Sequence, residues 1–219
     1  MSQEINLKEI ERKAFRSTHQ DGLWDILLGL IVISMAVYMY RPDEGYGPRN
    51  QLLMLAGFSL SFLVFWAGKQ FITVPRMGLV LFGPLRKRKA TTLAIIMGAV
   101  VLVQVGIVLF TVGGWLNADL AAKINSLLGE ANLGRMAVAA IGSLFIGPSM
   151  ILVAYFTDFG RGYYIAILMS AAVFLMILLN KPIYPLIIGL LIILPGVVLF
   201  IRFLQKYPLR DKKVGDERS

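Results

Sequence analysis

Six stretches of this chain each carry close to twenty consecutive apolar residues: roughly 22–40, 51–68, 91–115, 137–156, 162–180 and 182–204. Twenty residues of α-helix rise about 30 Å, the thickness of a bilayer's hydrocarbon core. Inside that core every backbone polar group must find its partner within the protein, so isolated strands are excluded and helices are favoured. The pattern predicts an all-α, polytopic integral membrane protein with six transmembrane helices. Composition agrees, because 57% of the 219 residues are hydrophobic and only 16% charged, against about 45–50% and about 25% in soluble domains.

The six segments pair into three hairpins, 1–2, 3–4 and 5–6. Only Asn180-Lys181-Pro182 separates the last two helices, and a proline cannot continue the helix before it. Orientation follows from the basic residues, which concentrate on the cytoplasmic side of a membrane protein. With the N-terminus inside, the outer loops hold Arg41, Arg49, Lys123, Arg135 and Lys181, leaving seventeen of the 22 Lys and Arg residues on the inner side. Both termini are therefore expected in the cytoplasm, in a plasma or inner membrane. Residues 1–21 form a cytoplasmic amphipathic N-terminal segment, 22–204 the transmembrane domain and 205–219 a basic cytoplasmic tail. No small-x-small cleavage pattern follows the first apolar run, which reads as a retained helix rather than a signal peptide.

Three segments outside the spans have patterns of their own. Over 3–16, Leu7, Ile10 and Ala14 share a face while Glu4–Lys8 and Glu9–Lys13 are spaced for i,i+4 pairing, which predicts a short helix. Over 117–128, Leu120, Ile124, Leu127 and Leu128 make one stripe, as in an amphipathic helix lying on the outer leaflet. Residues 71–84 are too short and too punctuated to span. Phe71–Val74 and Leu79–Phe82 are expected as a small hairpin, with a re-entrant segment as the alternative.

A carboxylate at the edge of lipid must be paired, hydrated or protonated, which singles out Asp21 and Asp25 at the head of the first helix. They lie four residues apart and so share a helical face. Asp21 fits an N-cap, and Asp25 either complements the positive end of the helix dipole or accepts a proton or cation. Asp158 and Arg161, in the short turn 157–162, lie at the same inner depth, where Arg161 could neutralise Asp25. Gln104 is the strongly polar side chain near the middle of the third span, expected to bond a neighbouring helix or to line a path. Gly147-Pro148 and Pro195-Gly196 interrupt the pattern of the fourth and sixth helices, each proline about nine residues before the inner end; ordinary kinks are the favoured reading and breaks at a transporter-type site the alternative. Small residues spaced by four at Ala94/Gly98, Ser143/Gly147 and Ala166/Ser170 mark close helix contacts. Arg86, Lys87, Arg88 and Lys89, just before the third span, orient the chain and attract anionic headgroups rather than nucleic acid.

Chemistry is scarce. The chain has no cysteine and one histidine, His19, so disulfides, thiolate catalysis and a Cys/His metal site are not expected. No hydrolase, metalloprotease, P-loop or dinucleotide motif occurs. The expectation is a non-enzymatic protein without a cofactor. Two readings stay open: a transporter or channel for a small or apolar solute, and a non-catalytic membrane subunit that scaffolds or regulates a partner. An intramembrane enzyme ranks last. Partners are expected to be anionic lipid, further copies of the chain or another membrane subunit.

Overall fold

The computed structural model describes residues 21–38, 48–77, 88–89, 91–103, 106 and 131–208. Every element among them is helical. Helix α1 is Leu23–Tyr38 and α2 is Pro48–Ala67, which runs through a π-helical segment, Gly68–Thr73, into a single turn, α3, Val74–Met77. Then come α4, Thr91–Val103, α5, Ala131–Phe156, α6, Gly162–Leu179, and α7, Ile183–Lys206. Four helices are long and apolar enough to cross a membrane: Arg49–Arg76, Arg135–Phe156, Gly162–Leu179 and Ile183–Lys206. Helices α1 and α4 are apolar but shorter. This pattern suggests a membrane protein.

The first helix is the hub, lying between α2 and α7, while α6 packs on α7 and α5 on α6. The α1–α7 crossing is antiparallel and built on glycine. A Cβ added at Gly22 would run into the Gly196 carbonyl oxygen, one at Gly29 would lie 2.7 Å from that of Gly189, and one at Gly196 would lie 3.0 Å from that of Gly22. These approaches are closer than any side chain allows, so the two backbones meet directly, as small residues permit in membrane helices. Gly22 also adopts φ +75°, a conformation natural to glycine. The α1–α2 crossing is closed at Ser34 against Gly57 and at Leu23 against Gly68. Between α6 and α5, the Ser170 hydroxyl donates to the Ser143 carbonyl at 3.0 Å. Leu28, Val32, Phe159, Ile165, Met169, Ala172, Ile188 and Ile192 form the apolar core, drawn from α1, α6, α7 and the α5–α6 turn.

Two connections between helices are tight. Helix α5 ends in a Schellman arrangement: the Phe159 N–H donates to the Ala154 carbonyl at 2.9 Å and the Asp158 N–H to that of Tyr155 at 3.3 Å. Asp158 takes the left-handed position, with φ +52°. Between α6 and α7, Asn180 at φ +49° ends α6 with its N–H on the Met176 carbonyl, and Pro182 precedes the first residue of α7.

Several expectations need correcting. Phe71–Val74 is not a strand: Phe71–Thr73 continues the second apolar helix in π-helical form and Val74 opens α3, so this helical run continues to Met77 rather than stopping near 68. Residues 79–82, the other half of the expected hairpin, lie outside the described residues, as do 3–16, 117–128 and the tail from 209 on. The Pro-Gly pairs lie inside continuous helices, Pro148 in α5 and Pro195 in α7. Proline inside a membrane helix is tolerated where neighbours and local adjustments satisfy the freed carbonyl. The adjoining glycines serve packing instead: Gly147 faces Ser170, and Gly196 faces Asp25 and the Gly22 carbonyl.

Candidate functional site: two carboxyls at the head of α1

The start of α1, the end of the α2 run, the α5–α6 turn and the last turns of α7 converge on one end of the bundle, here called the proximal end. Asp21 and Asp25 sit at its centre, each with 0% of its surface exposed. They arrive there because α1 begins at the glycine crossing, where the close approach of α7 helps to enclose the first turn.

Asp21 is fully provided with donors. Its Oδ1 accepts the Leu23 N–H at 3.2 Å, in the manner of an N-cap. Its Oδ2 accepts Lys69 Nζ at 2.6 Å and Thr73 Oγ1 at 2.9 Å. Lys69 and Thr73 belong to the π-helical segment, and their spacing of four presents both to the same carboxyl. The Lys69 side chain is 22% exposed, so its ammonium reaches the carboxyl while keeping contact with the boundary. Three residues past Thr73, Arg76 turns to α7 and donates through Nη1 to the carbonyls of Tyr207 at 2.6 Å and Leu204 at 3.3 Å. The otherwise orphan carbonyls at a helix C-terminus are thereby capped by a cation, which the helix dipole also favours.

Asp25 is different. Its Oδ2 lies 3.3 Å from Arg161 Nε, yet neither of its oxygens has a hydrogen-bond partner among the described residues. The contact is one of charge, without the alignment of a hydrogen bond. Arg161 immediately precedes α6, and its guanidinium also lies 5.5 Å from the centre of the Phe159 ring, within cation–π range. Behind Asp25, a Cβ added at Gly196 would lie 2.8 Å from the Asp25 Cβ, so α7 closes that side. The carboxyl is enclosed between α1, α7 and the α5–α6 turn.

The structure thus brings Asp21, Asp25 and Arg161 together and gives Asp158, three residues before Arg161, the left-handed turn position. Lys69, Thr73 and Arg76 were not singled out from sequence. Their signal was present as a polar pair four apart at the inner edge of the second apolar run, but a lysine there also satisfies the basic-inside pattern, which hides a second role. Gln104, Arg86 and Lys87 lie outside the described residues, while Arg88 and Lys89 are exposed. Of the small-residue pairs, Ser143/Gly147 and Ala166/Ser170 meet across α5 and α6, where with Pro148 and Phe174 they line an open groove of about 400 Å³. Among the described residues no group of three or more His, Cys, Asp or Glu side chains could hold a metal ion. Comparison with family models, with curated proteins and with solved structures finds no match for this chain.

Proposed function

We propose that this protein is a non-catalytic integral membrane subunit that scaffolds or regulates a partner protein, with six spans and both termini in the cytoplasm. The observation that carries this reading is the use made of charge at the proximal end. Asp21, Asp25, Lys69, Arg76 and Arg161 are directed at one another and at helix ends, tying α1, α2, α6 and α7 into one closed unit. The opposite property belongs to the outer faces. Helix α2 and the π-helical segment after it expose Leu52, Leu55, Phe62, Leu63, Trp66 and Phe71, apolar surface suited to lipid or to the helix of another subunit. Arg86, Lys87, Arg88 and Lys89 add attraction to anionic headgroups on the cytoplasmic side.

The span count has support from chain direction. Helices α2 and α5 both end at the proximal end, which favours an odd number of crossings between them. The apolar Thr91–Val103 helix is then part of the third span, and α1 and α4 complete the six. Reporters fused before residue 2 and after residue 219 should both read cytoplasmic, and one inserted near Ala122 should read outside.

A second reading, a transporter or channel for a small solute, is favoured by the missing hydrogen bonds of Asp25, since ionisable groups within membrane helices commonly mark ion or proton pathways. Purified protein in sealed vesicles separates the two. The subunit reading expects proton and cation flux equal to that of protein-free vesicles, and a stoichiometric membrane partner retained in mild detergent. Flux above background that Asp25→Asn alters would establish the transport reading instead.

A further inference from the structure

We propose that the outer face of α7 is a binding site for an anionic phospholipid, with its phosphate between Arg202 and Lys206 and an acyl chain along Val198, Leu194 and Leu191. The site lies on the side of α7 turned away from the glycine crossing at Gly189 and Gly196. It goes beyond the subunit reading and does not depend on it.

The cations at the proximal end divide into two groups. Lys69 is committed to Asp21, Arg161 faces Asp25, and Arg76 caps the Leu204 and Tyr207 carbonyls. Arg202 and Lys206 are exposed on the last turns of α7. Among the described residues Arg202 makes no hydrogen bond or ion pair, and Lys206 Nζ is matched by the Tyr207 ring, whose centre lies 5.5 Å away. Two like charges four residues apart on one helical face repel each other. The helix dipole does not require them there, because Arg76 already brings a cation to that terminus. An anion seated between them removes the repulsion.

An apolar stripe leads away from the pair along the same face. Val198, Leu194 and Leu191 precede Arg202 at the spacing of one helical face and are 49%, 60% and 50% exposed. Leu191 stands about 16 Å from Arg202 along the axis, close to half of a hydrocarbon core of about 30 Å. A cation pair at the boundary with an apolar stripe one leaflet deep has the polarity and the length of a single anionic lipid. The other exposed apolar faces end differently. That of α2 leads through Phe62 and Trp66 to Lys69, whose ammonium is on Asp21, and that of α5 leads through Ile151 and Tyr155 to Asp158, an acid. Charge complementarity therefore singles out α7. Inside the same turn Phe203 is buried and Arg76 ties α7 to the α2 run, so a lipid held on the outside fastens the turn further. Binding that favours the folded state raises its stability.

The test titrates the full chain in mild detergent with phosphatidylglycerol or phosphatidylcholine, counts bound lipid by native mass spectrometry and follows the thermal unfolding midpoint. Phosphatidylglycerol should bind saturably and raise the midpoint, and phosphatidylcholine should do neither. In the double variant Arg202→Gln, Lys206→Gln the affinity for phosphatidylglycerol should fall about thirtyfold, the combined effect of two basic residues beside a headgroup. The midpoint of this variant without lipid should match wild type, since neither side chain has a structural partner, and the single variants serve if the double one does not fold. Arg88→Gln, Lys89→Gln should still show the midpoint rise, which separates this site from the basic run before the third span. Glycerol phosphate, which carries the charge without a chain, should not displace the lipid. Equal binding of the two lipids, a double variant that binds as wild type does, a midpoint rise lost with Arg88 and Lys89, or displacement by glycerol phosphate would each overturn the proposal.

Discussion

Asp21 and Asp25 stand one helical turn apart, both with 0% exposure, and the protein treats them in opposite ways. Asp21 collects a backbone N–H, an ammonium and a hydroxyl. Asp25 collects a single charge contact and no hydrogen bond. The difference traces to the helices that face them. Beside Asp21 the α2 run loosens into a π-helical segment that brings Lys69 and Thr73 to one carboxyl, and π-helical turns are often placed where function or geometry requires them. Beside Asp25 stands the glycine crossing, which brings backbone close but offers no side-chain donor. Equal burial therefore does not mean equal bonding: Asp21 acts as a rivet between α1 and the π-helical segment, whereas Asp25 is held by charge alone.

The largest expected effect tests the rivet. Asp21→Ala removes the buried carboxyl to which Lys69 and Thr73 both donate at a packed helix junction. Removing one partner of a buried pair costs about 3–5 kcal/mol, read as loss of unfolding free energy in detergent micelles. A loss below 1 kcal/mol would erase the contrast between the two carboxyls. Next comes the crossing itself. Gly196→Ala places a methyl group 2.8 Å from the Asp25 Cβ and 3.0 Å from the Gly22 carbonyl oxygen, both of them parts that cannot swing away. Overpacking of this kind costs about 1–3 kcal/mol. If the same measurement shows Gly196→Ala to be neutral, α1 and α7 are not locked at that point.

Asp25→Asn should cost about 1 kcal/mol or less, because no hydrogen bond is lost and the buried charge is removed together with its attraction to Arg161. A loss matching that of Asp21→Ala would make Asp25 a rivet too, contrary to the geometry.

Much of this was legible in residue order, and the failures share a cause. Apolar runs located the helices because lipid-crossing length is a coarse, strong constraint, but not all of their ends: the second run continues to Met77 and α5 begins at Ala131. The common depth of Asp25 and Arg161 was also readable, since both stand at the first turn of a helix beginning on the same side. What sequence hid was pairing between segments far apart in the chain. Lys69 meets Asp21 across 48 positions, and Gly22 and Gly29 meet Gly196 and Gly189 in antiparallel register. A seven-residue spacing of glycines on two helices is visible only once the helices are known to face each other. The Pro-Gly pairs were ambiguous for a related reason. Pro195 signals a possible break locally, whereas Gly196 is there for the approach of α1, which no local pattern reveals.

The smallest expected effect lies on the opposite side of the molecule, where α5 meets α6. There too a polar side chain crosses between helices, the Ser170 hydroxyl donating to the Ser143 carbonyl at 3.0 Å. But this site is half-buried and opens on the apolar groove lined by Gly147, Pro148 and Phe174, and the acceptor is a carbonyl of the mid-helix ladder. Interhelical hydrogen bonds of this kind average about 0.6 kcal/mol in membrane proteins. Ser170→Ala removes the donor and one oxygen atom without creating a clash, since the Cβ is retained. The expected loss is therefore about 0.6 kcal/mol, below that of Asp25→Asn and far below that of Asp21→Ala in the same micelle unfolding series. A loss larger than that of Asp21→Ala would mean that α5–α6 contacts, rather than the charges at the proximal end, hold the helices together. The ordering of the three variants, more than any single value, decides where the bundle is fastened.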